Sequence, residues 1–317
     1  MKKLPLKNQS FRYLEKSFSE WLDILGYAPS TVYGLPIHVR ELLHYLESKG
    51  INQIKELEIT DITEYYEHLK IRANSKKGGA LSSNHLNKHV QAIRKFCEYL
   101  RTVGRLDLAD LLIKNEKLED REITFLSENQ IQLLFKATTK DYPRNSRTSE
   151  RFIDVLKSRD RAMLAIFYGC GLRKNEGVNL NVSDINFDRA TLHVRKGKRY
   201  KERIVPIGKQ ALKYLQTWVY DDRNYWRRSS KIDALFISDR GTRITGQSLL
   251  LRLKCVQSLS ENTELQEKEI GLHTLRHSIA THLLDNGMPL ESISKFLGHA
   301  SLESTQIYTH LLEKNEI

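Results

Sequence analysis

Residues 114–124 read KNEKLEDREIT, a run of charge with almost no large apolar side chain. Such a segment buries too little surface to offset the entropy of ordering it. It predicts a linker over 114–124, separating a unit at 1–113 from another at 125–317, each long enough to close its own core. The two sides differ in pattern. Upstream, every apolar repeat is helical: 11–25, stopping at Gly26; a helix capped by Ser30 that runs to residue 48 through Pro36; and 61–71, capped by Thr60. The clearest helix spans 82–103, where Leu86, Val90, Ile93, Cys97 and Leu100 step by four and three into one stripe.

Downstream, helical spacing returns at 128–137 (capped by Ser127), 152–167, 209–219, 247–256 and 274–284. It recurs in a short stretch after Pro289 and at 302–312, capped by Ser301. Among these lie two β-branched runs, ATLHV and ERIVPI, separated by RKGKRYK, which reads as a hairpin with a basic tip. A polar insert around DYPRNSRTSE predicts a surface loop. The expected fold is mainly α: an all-helical first domain, then a mostly helical α+β domain with a small antiparallel sheet.

Charge narrows the partners. The 51 Lys+Arg against 39 Asp+Glu give a net +12 and a pI near 9.4, a balance that favours polyanions, nucleic acid foremost. Cys97, Cys170 and Cys255 stand apart, in no disulfide or metal spacing, which suits a reducing compartment. The uncharged stretch 162–172 is too short to span a bilayer, and MKKLPLKNQS lacks the apolar core of a signal peptide. A cytoplasmic, nucleoid-associated protein without membrane contact is expected.

The chemistry-bearing residues gather in three places. FYGCGLRKNEGVNL carries Arg173 and Glu176, GLHTLRHSIATHLL carries His273 and Arg276, and LGHASLESTQIYTH carries His299 and Tyr308. Arginine forks neutralise phosphate oxygens, histidines move protons, and a phenol can attack phosphorus. A zinc reading of His273 and His277, four apart, fails because the glutamate that should follow the first histidine is Thr274. On the helix at 82–103, Lys88, Arg94, Lys95 and Arg101 fall outside the apolar stripe. By themselves they describe a wet helix face; beside nucleic acid they describe a phosphate track.

The order Arg173, Lys198, His273-x-x-Arg276, His299, Tyr308 resembles the tyrosine recombinase (phage integrase) family, over most of the chain and most strongly from about residue 167 onward. The resemblance implies a core-binding, SAM-like N-terminal domain that grips DNA and a C-terminal catalytic domain. It implies that Arg173 and Arg276 hold the scissile phosphate, His299 adds a hydrogen bond to it, and His273 assists proton transfer with the tyrosine. Tyr308 attacks phosphorus to leave a 3′-phosphotyrosyl bond, and Lys198 protonates the departing 5′ oxygen. Lys196 and Lys201 share that hairpin tip and stay open as alternatives. Glu176 is read as holding the local helix or an arginine.

One phosphodiester is exchanged for another, so no cofactor or metal is expected. The implied partners are double-stranded DNA with inverted half-sites and further copies of the chain, a dimer per site and a tetramer in the synapse, with room for accessory DNA-bending proteins. The insert near residue 145 and the short tail after Tyr308 favour integration, excision or inversion of a mobile element. Xer-type dimer resolution stays open, as do type IB topoisomerase-like relaxation and a DNA-binding relative without catalysis.

Overall fold

A computed structural model describes residues 4–74, 78–108, 112–118, 123–143, 149–195, 202–225, 232–298 and 303–306. The chain divides into two units, Met1–Arg121 and Glu122–Ile317.

Among its described residues the first unit has helices and no strand: α1 (Gln9–Ile24), α2 (Pro29–Ser48), α3 (Ile59–Ile71) and α4 (Ser83–Thr102), with a short 3-10 turn at Ile54–Glu56. Asn8 starts α1, its side chain accepting from the Ser10 amide at 2.8 Å. α2 starts at Pro29 with Ala28 at the cap, not at Ser30. The fixed φ of proline suits the first helical position, where no amide donor is needed. α3 likewise begins before Thr60: Glu58 is the cap, and Asp61 reaches back to its amide at 2.8 Å. The apolar stripe of α4 packs as its spacing requires, with Leu86, Val90, Ile93 and Leu100 buried. Phe96 of α4 meets Phe18 of α1 edge to face, ring centroids 5.4 Å apart. Arg40 grips Glu15 with two nitrogens, at 2.9 and 2.5 Å, tying α2 to α1.

The second unit opens with α5 (Glu128–Ala137), capped by Ser127, whose Oγ accepts from the Gln130 amide. α6 (Glu150–Leu164) runs into a wide π-type turn at Ala165–Gly169, and α7 (Lys174–Asn179) follows. Three short strands come next: β1 (Ile185–Asn186), β2 (Thr191–Val194) and β3 (Arg203–Pro206), antiparallel in the order β1-β2-β3. The pairs Leu192↔Val205 and Val194↔Arg203 fix the hairpin register. α8 (Lys209–Gln216), α9 (Gly246–Ser258), α10 (Thr263–Glu267), α11 (Leu272–Asp285), α12 (Leu290–Leu297) and α13 (Glu303–Gln306) complete the described order. Phe167, Trp218 and Phe236 anchor the core, and Trp218 donates its indole N–H to the Leu235 carbonyl at 2.9 Å. No helix among the described residues is long and apolar enough to cross a membrane.

Candidate active site

Arg173 and Arg276 lie far apart in sequence, and the fold brings both guanidiniums to one carbonyl. The π-type turn delivers the chain to Gly171 and then to Arg173, which caps α7. Arg276 lies one turn into α11 and is buried, its side chain 3 % exposed. It donates to the Gly171 carbonyl at 2.7 Å and to the Leu297 carbonyl at 2.9 Å. Arg173 also reaches the Leu297 carbonyl, at 3.4 Å, and the Gly298 carbonyl at 2.9 Å. The last turn of α12 is thereby stapled to both arginines, one residue before His299.

Glu176 holds this arrangement together. Its carboxylate accepts from the Arg173 side chain at 3.0 Å and from the Arg173 amide at 2.9 Å. Arg203, at the start of β3, approaches it as a fork, at 3.0 and 2.9 Å, and donates to the Phe296 carbonyl at 3.0 Å. Burial alone would raise the Glu176 pKa. The Arg203 hydrogen bonds and charge, with those of Arg173, outweigh it and hold the carboxyl below the usual glutamate range. Three arginines against one glutamate leave the cluster cationic, as an anion site requires.

Two glycines permit this closeness. Gly171 has φ +59, and a Cβ there would meet Leu297 Cδ2 and Phe296 Cε1, each at 2.9 Å. Gly298 has φ +65 and leaves 2.8 Å between a would-be Cβ and Arg203 Nη1. A side chain at 171 would press on α12 and one at 298 on the Arg203 fork, each in a backbone conformation that favours glycine.

His273 occupies the second position of α11. Partial burial first, then the charges of Arg276, Lys174 and Arg173, push its pKa below the ordinary histidine value, with Glu176 opposing. His277, one turn on, is lowered to about 4 by burial, then by His273 and Arg276. Both rings are neutral near pH 7, so His273 is able to accept a proton.

The model of the phage integrase family matches residues 124–315. The chain belongs to the phage integrase family. Over 294 residues it is 31% identical to the tyrosine recombinase XerD of Proteus mirabilis, an alignment covering 92% of this chain and 86% of that protein. It is 28% identical to the tyrosine recombinase XerC of Chlorobaculum parvum, over 95% of this chain and 90% of that one. It shares its fold with a XerH site-specific recombinase solved in a post-cleavage complex on palindromic difH substrate. That match has a TM-score of 0.69 and 20% identity, over 99% of this chain and 89% of that one. As a family member the chain is a tyrosine recombinase, an enzyme that cleaves and rejoins DNA in site-specific recombination.

In this recombinase, Arg173, His273 and Arg276 fall on described elements of the second unit. Lys198, with its neighbours Lys196 and Lys201, His299 and Tyr308 lie outside the described residues, as does the centre of the polar insert. On α4, Lys88 is exposed. Arg94 donates to the Ile113 carbonyl at 2.5 Å, Lys95 pairs with Glu98 at 2.5 Å, and Arg101 pairs with Asp107 at 2.8 Å. The family resemblance assigns Arg203 no role. Its signal was the two-residue period of β3, which puts Arg203 on the face of buried Val205, with Ile204 turned outward at 70% exposure. An arginine on an inward face needs a buried carboxylate, and Glu176 is that partner.

Proposed function

We propose that this recombinase exchanges strands by transesterification through Tyr308. The phenolic oxygen attacks the scissile phosphorus, the bond to the 5′ oxygen breaks, and a 3′-phosphotyrosyl link forms. Lys198 gives its proton to the departing 5′ oxygen, and neutral His273 takes the proton of the phenol. Arg173 and Arg276, joined by His299, balance the charge that grows on the pentacoordinate phosphorus. Attack by a 5′-hydroxyl from a second duplex reverses the step and completes the exchange. The observation that carries this reading is the Leu297 carbonyl shared by Arg173 and Arg276. It supports a single anion site leading directly into the segment that holds His299 and Tyr308.

In the same reading the DNA carries inverted half-sites, bound by a dimer and synapsed as a tetramer. The N-terminal unit contacts phosphates through the α4 face that bears Lys88. The sequence relatives carry Xer names, which supports a Xer-type task over movement of a mobile element.

The test is covalent capture on a nicked, randomised duplex library. Wild type is expected to give an SDS-resistant adduct, and Tyr308→Phe to bind DNA equally well and give none. An adduct from Tyr308→Phe removes it as nucleophile. Captured sequences from one chromosomal locus support the Xer-type task, and captured ends of an element support integration or inversion. Lys198→Ala should recover on a 5′-bridging phosphorothiolate substrate, whose sulfur leaves without a proton; no recovery transfers the acid role to Lys196 or Lys201.

A further inference from the structure

Three histidine rings meet inside the N-terminal unit, and none enters the chemistry proposed above. His38 lies on α2, while His85 and His89 sit one turn apart on one face of α4. His38 Nδ1 is 3.1 Å from His89 Nε2, which is 3.3 Å from His85 Nε2. One nitrogen from each ring lies within 4.8 Å of the other two. Tetrahedral nitrogen ligands at the usual zinc distance stand about 3.3 Å from one another. Two of the three separations therefore already match ligands around one cation.

The surroundings fit the same purpose. His89 is fully buried, and its other ring nitrogen, Nδ1, is 3.1 Å from the Tyr65 hydroxyl on α3. An Nδ1–H donated to that oxygen turns the Nε2 lone pair towards the other two rings, the arrangement in which an outer partner orients a metal-bound histidine. Glu41 of α2 places Oε2 3.8 Å from His89 Nε2, while its Oε1 meets Arg72 at 2.5 Å. The carboxylate thus stands between the trio and the positive charge in contact with it. Plain hydrogen bonding could link two of these rings. It leaves unexplained why a third ring nitrogen and a carboxylate oxygen also gather on His89 Nε2.

We propose that His38, His85 and His89, with the Glu41 carboxylate beside His89, bind one divalent transition-metal ion of the zinc class and so tie α2 to α4. Imidazole nitrogen selects such ions over magnesium or calcium, which prefer oxygen. The ion has a structural role in the helical unit and takes no part in strand cleavage.

Cobalt(II), whose visible d–d bands report tetrahedral coordination, is the probe. Full-length, tag-free protein is stripped with chelator, dialysed and titrated. One equivalent is expected to give tetrahedral bands that zinc abolishes by displacement. His38→Asn and His85→Asn alter half-buried rings, and circular dichroism confirms that each variant is folded. Either change should remove the bands, and Tyr65→Phe should weaken binding roughly ten- to hundredfold. The proposal is overturned if wild type shows no tetrahedral bands. It is equally overturned if both asparagine variants bind cobalt like wild type, which would place the ion on other histidines.

Discussion

At the scale of single residues, Glu176 balances the charge of the site, because Arg173 and Arg203 both close on its carboxylate. Removing one member of a buried ion pair leaves the others uncompensated, at a cost on the order of 3 kcal/mol. Glu176→Gln should lower the urea-unfolding free energy by about that much, and it should slow cleavage because Arg173 loses its anchor. Unchanged stability would show that the arginines are held by the backbone carbonyls alone. Arg173→Ala and Arg276→Ala should each slow adduct formation by roughly 10²- to 10³-fold, read from single-turnover rates. Near-normal rates would take them out of the site. The spacing of Arg173, His273 and Arg276 resembles a known order of residue types, and the fold brings Arg173 and Arg276 to one carbonyl. Glu176 was expected to hold the local helix or an arginine; it accepts from the Arg173 amide and from two arginine side chains. Arg203 went unread because a basic residue beside a basic hairpin tip looks like surface charge until its strand face is known.

At the scale of elements, the meeting of the π-type turn with the end of α12 sets the geometry of the arginine cluster. Gly171→Ala adds a side chain at φ +59 against Leu297 and Phe296. The left-handed conformation costs about 1–2 kcal/mol for a residue with a Cβ, before any displacement of α12. We expect a lower Tm and a loss of cleavage larger than the stability change explains, since the Leu297 carbonyl moves from both arginines. Full cleavage activity in a folded Gly171→Ala protein would contradict this. Helices with long apolar stripes, such as α4, were readable from spacing alone. The strand β1 was not, because two residues carry no period. The short helices α7 and α10 escaped for the same reason, and their stability comes from packing and capping.

At the scale of the whole molecule, the histidines set a pH dependence. His38, His85, His89, His273 and His277 all have folded pKa values below the ordinary histidine value. The unfolded chain therefore binds protons that the fold refuses, and stability rises with pH. This contribution is complete above about pH 6.5 and is lost as pH falls towards the folded values, about 4 for His38 and His277. Glu176, also depressed, adds a loss at lower pH, below the ordinary glutamate range. Thermal melts in chelator should show Tm falling steadily from pH 7.5 to pH 5, and a flat profile would contradict the burial of these rings. The two units meet between Arg121 and Glu122, inside the charged run at 114–124, whose composition forbids a core. The histidine trio was not legible in the sequence, because His38 lies 47 positions before His85 and only the packing of α2 on α4 joins them.

In the proposed reaction the cationic cluster around Arg173 and Arg276 serves a tyrosine that takes the DNA 3′ phosphate. Mass spectrometry of the nuclease-trimmed adduct tests it most directly. We predict one modified peptide, with the nucleotide joined through its 3′ phosphate to Tyr308. A nucleotide on any other residue, or joined through its 5′ phosphate, would contradict the account.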